Sequence, residues 1–326
     1  MRRNGWRPIL AMSLLVGVGV GAGTGACRTQ GEDNPRRFMS IGTGGTGGIY
    51  YPLGGAIASQ LSMADSNRRY TAEVTGGSVE NVNRVANGEM DLGFSMMTTI
   101  YRAYNGRIDF PEPLSRLRLV APVYPNRVHI VAARNSPVES VAELRGRRVA
   151  VGSPGSGTEQ VAREVLAAYE ITYDDIDVRY LSFRESSDAL RDRAVDAAFF
   201  AAGYPVSAVL EVMTSRAGRL LSIDGEHRRI LAERFSFYGA GAIPSDAYPG
   251  VAEDVPTVVV MNWIVARDDL DASVVRLVLD LIKNHRSYLE QVHDIARQID
   301  LDVLLQSPPI PYHAETERWI DEVLRN

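Results

Sequence analysis

The stretch SIGTGGTGGIYYPLG, residues 40–54, joins a short apolar run to a helix-like segment through a loop rich in glycine and threonine. The run RFMSI predicts a strand, and YPLGGAIASQLSM has apolar residues at helical spacing. YTAEV then predicts a strand, SVENVNRVANG a helix with Ser78 at its cap, and DLGFSM another strand. Strands that alternate with helices in this way favour an α/β fold.

The same order occurs a second time further along the chain. RRVAVGSPGSGTEQVAREVLAAY predicts a strand, a loop of glycine, serine and threonine, and a helix. DVRYLSF predicts a strand, RESSDALRDRAV a helix and DAAFFAAG a closing strand. Asp91 and Asp196 stand at equivalent places, each just before an apolar strand. The repeat predicts two lobes of similar design.

Two long β-rich runs lie between and after the copies. LVAPVYPNRVHIVAA and VPTVVVMNWIVA are suited to cross between the lobes as paired hinge strands, and VVRLVLDLIKNHRSYLEQV shows the periodicity of an amphipathic helix. We therefore predict a first lobe formed by residues 37–122 and 251–326, and a second lobe formed by residues 123–250, with a cleft between them.

The first residues have the pattern of a secretory signal. Arg2, Arg3 and Arg7 precede an apolar run from residue 9 to residue 20, and small residues lead to Cys27, the single cysteine. We predict a signal peptide at residues 1–26 and an extracytoplasmic protein. Thr24-Gly25-Ala26-Cys27 is similar to a bacterial lipobox, which predicts lipidation of Cys27, a membrane anchor and a polar tether at residues 27–36. Ordinary cleavage near Ala26, which would release a soluble periplasmic protein, is the alternative.

Several functional classes fit the composition or the motifs poorly. A formal net charge of −5 does not suit a nucleic-acid-binding protein. Gly42, Gly44 and Gly47 match the dinucleotide pattern G-x-G-x-x-G, but Pro52 and two tyrosines crowd the helix start, and no candidate for hydride chemistry follows.

Catalytic motifs fit no better. Pro154 and Thr158 replace the glycines that would flank Ser156 in a nucleophile elbow, Cys27 is assigned to processing, and the five histidines show no metal-ligand spacing. We expect neither an enzyme nor a bound cofactor or metal. The two glycine-rich loops are the remaining candidates for a functional site. In an open α/β sheet, loops that precede helices lie at the carboxyl ends of strands, where free N–H groups bind anions.

Six stretches together resemble the TAXI family of extracytoplasmic solute-binding proteins of TRAP transporters. They are IGTGGTGGIYYPLGGAIA, TGGSVENVNRV, DLGFSM, VGSPGSGTE, DAAFFAAGYP and YPGVAEDVPTVVV. The resemblance implies a type II periplasmic-binding-protein-like fold that closes on a small organic anion, such as glutamate or a 2-oxoglutarate-like dicarboxylate. It implies delivery of this ligand to a TRAP-type membrane permease by a monomer. An extracytoplasmic ligand-sensing module without a transport role is the alternative.

The resemblance and the position of the loops together give a candidate set of ligand-binding residues. No arginine lies in the loops; Arg102 and Arg127 are candidates for a clamp on the ligand, but we favour interpreting each as a solvated surface charge. Ser156, Gly157 and Thr158 begin a helix, which favours carboxylate binding. The remaining candidates are Thr43, Gly44, Thr46, Tyr50, Ser78, Asn81, Ser95 and Gly203.

Overall fold

The computed structural model describes residues 38–325; the predicted signal peptide, the tether and Cys27 lie outside this range. The described chain forms a mixed sheet of ten strands with helices packed against it. The strands are β1 Phe38–Gly42, β2 Arg69–Glu73, β3 Leu92–Met96, β4 Leu117–Ala133, β5 Arg148–Ala150, β6 Asp177–Arg179, β7 Ala197–Ala202, β8 Gly218–Leu221, β9 Gly239–Ile243 and β10 Val255–Arg267.

The α-helices follow the strands in an alternating order over most of the chain. They are α1 Tyr50–Ala64, α2 Ser78–Ala86, α3 Met97–Asn105, α4 Gly157–Ala168, α5 Phe183–Arg191, α6 Ser207–Thr214, α7 Gly225–Arg234, α8 Ala272–Asn284, α9 Arg286–Val292 and α10 Ala314–Trp319. Short 3₁₀ segments lie at Val141–Leu144, Tyr173–Asp175, Asp294–Gln298 and Leu301–Leu305, and a π-helical turn at Ile320–Leu324.

The predicted repeat is confirmed by the strand order β2-β1-β3-β10-β4-β7-β5-β6. In one half, β1 pairs in parallel with β2 and β3; in the other, β5 pairs in parallel with β6 and β7. The two aspartates have the same role, because Asp91 accepts from the Ser40 N–H at 2.8 Å and Asp196 from the Arg148 N–H at 2.9 Å. We call the half with β1–β3 the first lobe and the half with β5–β7 the second lobe.

The two long strands at the centre of the sheet connect the lobes, as predicted. β4 pairs in antiparallel fashion with β10 and, further along, with β7 of the second lobe. β10 in turn pairs with β3 of the first lobe. Because both strands continue through the middle of the sheet, the residue boundaries of the lobes stay a prediction.

The predicted C-terminal helix is instead two helices, α8 and α9, which are separated at His285. Both contact α1 of the first lobe. Near the C-terminus, the Thr316 hydroxyl donates to the carbonyl of Val120 in β4 at 3.1 Å. The C-terminal segment thus contacts both α1 of the first lobe and the hinge strand β4.

The central strands are buried on both faces, which explains their apolar sequences. Every residue of β3 and of β7 is buried, as expected for strands covered by helices on each side. Helix α1 lies close to this layer, because a Cβ on Gly54 would be 2.4 Å from Cγ2 of Thr43. The glycine-rich start of α1 thus lets the helix approach the strand ends.

Candidate functional site

A cavity of about 570 Å³, its open mouth included, lies between the two lobes. The first-lobe loop after β1 and the segment before α2 form one wall, and the loop after β5 forms the other. The two glycine-rich loops therefore border one shared space, as the sequence predicted.

Four helices begin at this cavity. Ile49 and Tyr50 at the start of α1, and Gly77 and Ser78 at the start of α2, line it from the first lobe. The second lobe contributes the starts of α4 and α5, with lining residues Ser156, Gly157, Thr158, Ser182 and Phe183. Each helix N-terminus carries a partial positive charge of about +0.5, so their convergence favours an anion.

The lobes touch along the edges of the cavity. The carbonyl of Gly155 in the second lobe accepts from the N–H groups of Val79 and Glu80 in the first lobe, both at 3.2 Å. A Cβ on Gly157 would be 2.8 Å from the Ser78 hydroxyl oxygen. The structure is thus a closed arrangement, in which residues from both lobes can contact one enclosed ligand.

The start of α4 has donors that the protein does not use. Among residues 38–325, the N–H groups of Gly157 and Thr158 have no acceptor. The Ser156 hydroxyl accepts from the Glu159 N–H at 3.1 Å, and the Thr158 hydroxyl accepts from the Ala201 N–H at 3.4 Å. Both hydroxyls keep their own hydrogen for donation. This helix start can therefore offer two amides and two hydroxyls to a bound oxygen atom.

The hinge strands form the floor of the cavity, a feature that the sequence did not reveal. Tyr124 and Asn126 of β4 line it together with Tyr50. The Tyr50 hydroxyl donates to Asn262 of β10, whose side-chain amide donates to Asn126 Oδ1 at 2.7 Å. Asn126 in turn donates to the carbonyl of Ala201 at 3.0 Å. A hydrogen-bond network thus connects the first lobe, both hinge strands and the second lobe below the ligand space.

Tyr124 differs from its neighbours because its hydroxyl has no hydrogen-bond partner within residues 38–325. Its side chain is 1% exposed and lines the cavity. Burial, followed by the nearby Tyr50, raises the pKa of the Tyr124 hydroxyl, so it stays protonated at neutral pH. It is a neutral hydroxyl, without a partner among residues 38–325, on a side chain that lines the space between the lobes.

Of the eleven predicted site residues, the lining includes Gly44, Tyr50, Ser78, Ser156, Gly157 and Thr158. Ser78 is not the helix cap that we predicted: Gly77 occupies that position with φ 115°, and Ser78 is the first helical residue. Its hydroxyl accepts from the Met96 N–H at 3.2 Å.

The other five predicted residues lie outside the lining. Thr43 donates to the Glu73 carbonyl at 2.6 Å, Asn81 donates to the carbonyls of Thr43 and Phe94, and the Ser95 hydroxyl is 3.4 Å from the Ser78 carbonyl. These side chains hold the walls together. Thr46 is exposed, and a Cβ on Gly203 would be 2.7 Å from Ile295, so this glycine accommodates packing.

Arg102 and Arg127 are not solvated surface charges. Arg102 on α3 is 3% exposed and forms an ion pair with Glu164 on α4. Arg127 lies over the Tyr204 ring, 4.3 Å from its centroid, and donates to the Ala242 carbonyl at 2.8 Å. Burial lowers the pKa of both guanidinium groups, but neither lines the cavity.

Residues 38–325 contain no cluster of three histidine, cysteine, aspartate or glutamate side chains that could bind a metal ion. No helix in this part of the chain has the length and apolar character needed to cross a bilayer.

Comparisons with known proteins agree with this architecture. The model of the NMT1-like family matches residues 41–323. MatC from Rhodopseudomonas palustris, solved with bound malate, is 14% identical with a TM-score of 0.57, and the match covers 88% of this chain and 99% of MatC. A periplasmic transporter structure is 13% identical with a TM-score of 0.56, over 89% and 94% of the two chains. The fold is thus the two-lobed α/β fold of periplasmic solute-binding proteins.

Proposed function

The chain belongs to the NMT1-like family, and on that premise we propose that it is an extracytoplasmic solute-binding protein of a transporter. It captures a small organic anion and delivers it to a membrane permease without chemical change. The resemblance of its loops to the TAXI family favours a TRAP-type permease and a glutamate or 2-oxoglutarate-like dicarboxylate as ligand. A lipid anchor at Cys27 would keep the protein at the outer face of the cell membrane.

The observation that carries this proposal is the cavity between the lobes with four helix N-termini at its walls. Positive helix ends and unused N–H groups stabilise a carboxylate without an arginine. Because donors come from both lobes, the ligand is bound better when the lobes are closed. Binding therefore shifts the protein from open to closed forms by bending at β4 and β10.

Tyr124→Phe is the sharpest test of the site, since the removed hydroxyl has no hydrogen-bond partner among residues 38–325. The purified chain is first unfolded and refolded to remove any ligand acquired during expression, and is then titrated calorimetrically with organic acids. We expect the variant to bind the preferred acid at least roughly tenfold more weakly, because a hydrogen bond to a charged group contributes about 1.5–3 kcal/mol. Its thermal stability should be unchanged.

Tyr312→Phe is the matched control. Its hydroxyl donates to the Gln306 carbonyl at 3.2 Å and Tyr312 lies outside the cavity lining. Affinity should equal that of the wild type in this variant. Equal binding by wild type and Tyr124→Phe would contradict the assigned site, and conversion of the acid into a product would contradict a binding function.

A further inference from the structure

The cavity offers hydrogen-bond donors but no carboxylate, and the carbonyl oxygens around it already accept hydrogen bonds. None of its lining residues is charged. From this we infer that the site selects small carboxylates that carry no ammonium group, and so discriminates against amino acids. The inference rests on the proposed function, because it names the class of ligand for the same cavity.

The carboxylates near the cavity are already engaged. Glu80 accepts from the Gly76 N–H at 2.7 Å and pairs with Arg84. Glu159 pairs with Arg163 at 3.1 Å and accepts from Tyr173 at 2.8 Å. At the start of α5, the Glu185 carboxylate closes a capping box with Ser182. None of the three lines the cavity, so an ammonium group would find no counter-charge there.

The carbonyl groups around the cavity are engaged as well. Gly155 accepts from two N–H groups of α2, Ser153 from the Ser156 N–H, and Gly45 from the Gly48 N–H. On the floor, the carbonyls of Tyr124 and Ala201 accept from Asn262 and Asn126, and Asn126 Oδ1 accepts from Asn262. An ammonium group has three hydrogens to donate, and each of these oxygens already accepts at least one hydrogen bond, which weakens it as a further acceptor.

The helix ends act in the same direction. A helix N-terminus carries about +0.5 of an elementary charge through its unused N–H groups, which α4 retains, and this charge attracts a carboxylate and repels an ammonium group. The rest of the wall is apolar, with Ile49, Met96 and Phe183 in the lining. Burial of an ionised amine without a partner is unfavourable. An oxo, hydroxy or unsubstituted acid avoids both penalties while its carboxylate keeps the same donors.

Matched pairs of acids test this inference. The refolded chain is titrated with 2-oxoglutarate against glutamate, succinate against aspartate, and pyruvate against alanine. For the pair that binds best, we expect the amino acid to bind at least tenfold more weakly, which corresponds to about 1.4 kcal/mol. Equal or tighter binding of the amino acid would overturn the inference and leave the proposed function intact. If no acid of either kind binds, the proposed function fails, and the inference fails with it.

A variant at the edge of the cavity checks the electrostatic cause. Ser153 is a half-buried lining residue, and its hydroxyl makes no hydrogen bond within the described chain. Ser153→Asp adds a carboxylate, and Ser153→Asn adds a neutral group of the same shape. The ratio of the affinity for the acid without an ammonium group to that for the matching amino acid should decrease several-fold in Ser153→Asp. In Ser153→Asn this ratio should stay near the wild-type value. The same ratio in both variants would overturn the electrostatic explanation.

Discussion

The lobes meet in two regions of opposite chemistry. The cavity is enclosed by uncharged side chains and helix N-termini. The other region, which we call the charged contact, joins α3 and the segment after it to α4. Here Arg102 pairs with Glu164, Asp109 pairs with Arg163 at 3.0 Å, and Thr99 donates to Gln160 at 2.6 Å.

The difference shows how charge is distributed over a closing surface. In the charged contact the protein supplies both partners of each ion pair, so closure leaves no charge unpaired. In the cavity it supplies only partial positive charges, so a bound anion is the missing partner. A bound ligand can therefore stabilise the closed state in the cavity, while the protein's own ion pairs stabilise the closed state in the charged contact.

The largest effect is expected from separation of the buried ion pair. Arg102→Met leaves Glu164, whose side chain is 5% exposed, without its cation. Loss of one partner of a buried pair typically costs about 3–5 kcal/mol, so we expect a decrease of that size in the free energy of unfolding in urea.

Two further variants isolate the cause of that decrease. Arg102→Met combined with Glu164→Leu removes both charges and should recover much of the lost stability. Arg116→Met, which removes an exposed arginine paired with Asp268 and Asp269, should change stability little. Similar losses in the single and double variants would show that Arg102 acts through packing rather than charge.

The hinge strand beneath the cavity provides the second test. His129 of β4 is fully buried, and its Nε2 lies 2.9 Å from the Tyr248 hydroxyl. Burial lowers the pKa of His129 from 6.5 to about 4. Between these values the unfolded chain binds the proton and the folded chain does not. The free energy of unfolding should therefore fall by roughly 3 kcal/mol as the pH decreases from 6.5 to 4.

His129→Gln removes this titration and should lose less stability than the wild type over the same pH interval. Urea unfolding at several pH values measures the difference. His285→Gln, at an exposed histidine between α8 and α9, should follow the wild-type curve. If the free energy of unfolding of His129→Gln falls with decreasing pH as steeply as that of the wild type, groups other than His129 cause the acid sensitivity. The burial of this histidine in the hinge strand would then not explain it.

A smaller effect is expected where the walls of the cavity touch. In Gly157→Ala the new Cβ would be 2.2 Å from Met96 Cε and 3.0 Å from Ser78 Cβ, so both side chains must shift before the lobes can close as in the wild type. We expect ligand affinity to decrease about tenfold, or about 1.4 kcal/mol, with little change in unfolding. Gly55→Ala, where the Cβ has no neighbour within 4 Å, is the control. Unchanged affinity in Gly157→Ala would show that this contact does not limit closure.

Much of the fold could be predicted because its signals are local. The glycine-rich loop after RFMSI and its counterpart after RRVAV each lie between an apolar strand and an amphipathic helix, which marks the strand end and the helix start together. The prediction failed where such signals overlap. DVRYLSF predicts one strand, but β6 ends at Arg179 and Ser182 already caps α5. The spacing of Ser182 and Glu185 is a capping-box signal that would have given this helix start.

The floor of the cavity was harder to predict for a different reason. Tyr124 and Asn126 lie within a long hinge strand, where nothing in the local pattern tells which residue faces the cleft. Asn262 reaches them from β10, 136 positions away from Asn126. Conversely, Thr43, Asn81 and Ser95 were predicted as ligand donors from their positions near the loops. Because buried polar groups require hydrogen-bond partners, these three side chains bond to carbonyl groups of the protein and are not left for a ligand.

The pairing of Arg127 with Val259 in β4 and β10 has a consequence for how such proteins diversify. The segment between these two residues leaves the central strands at β4 and rejoins them at the neighbouring position of β10. Its two ends therefore lie side by side, as the ends of an inserted domain do. Chains whose ends lie close together tolerate transplantation well. Exchange of this segment between related proteins would replace the second-lobe wall of the cavity in one recombination event. The first-lobe wall and the floor residues Tyr124 and Asn126 of β4 would stay unchanged.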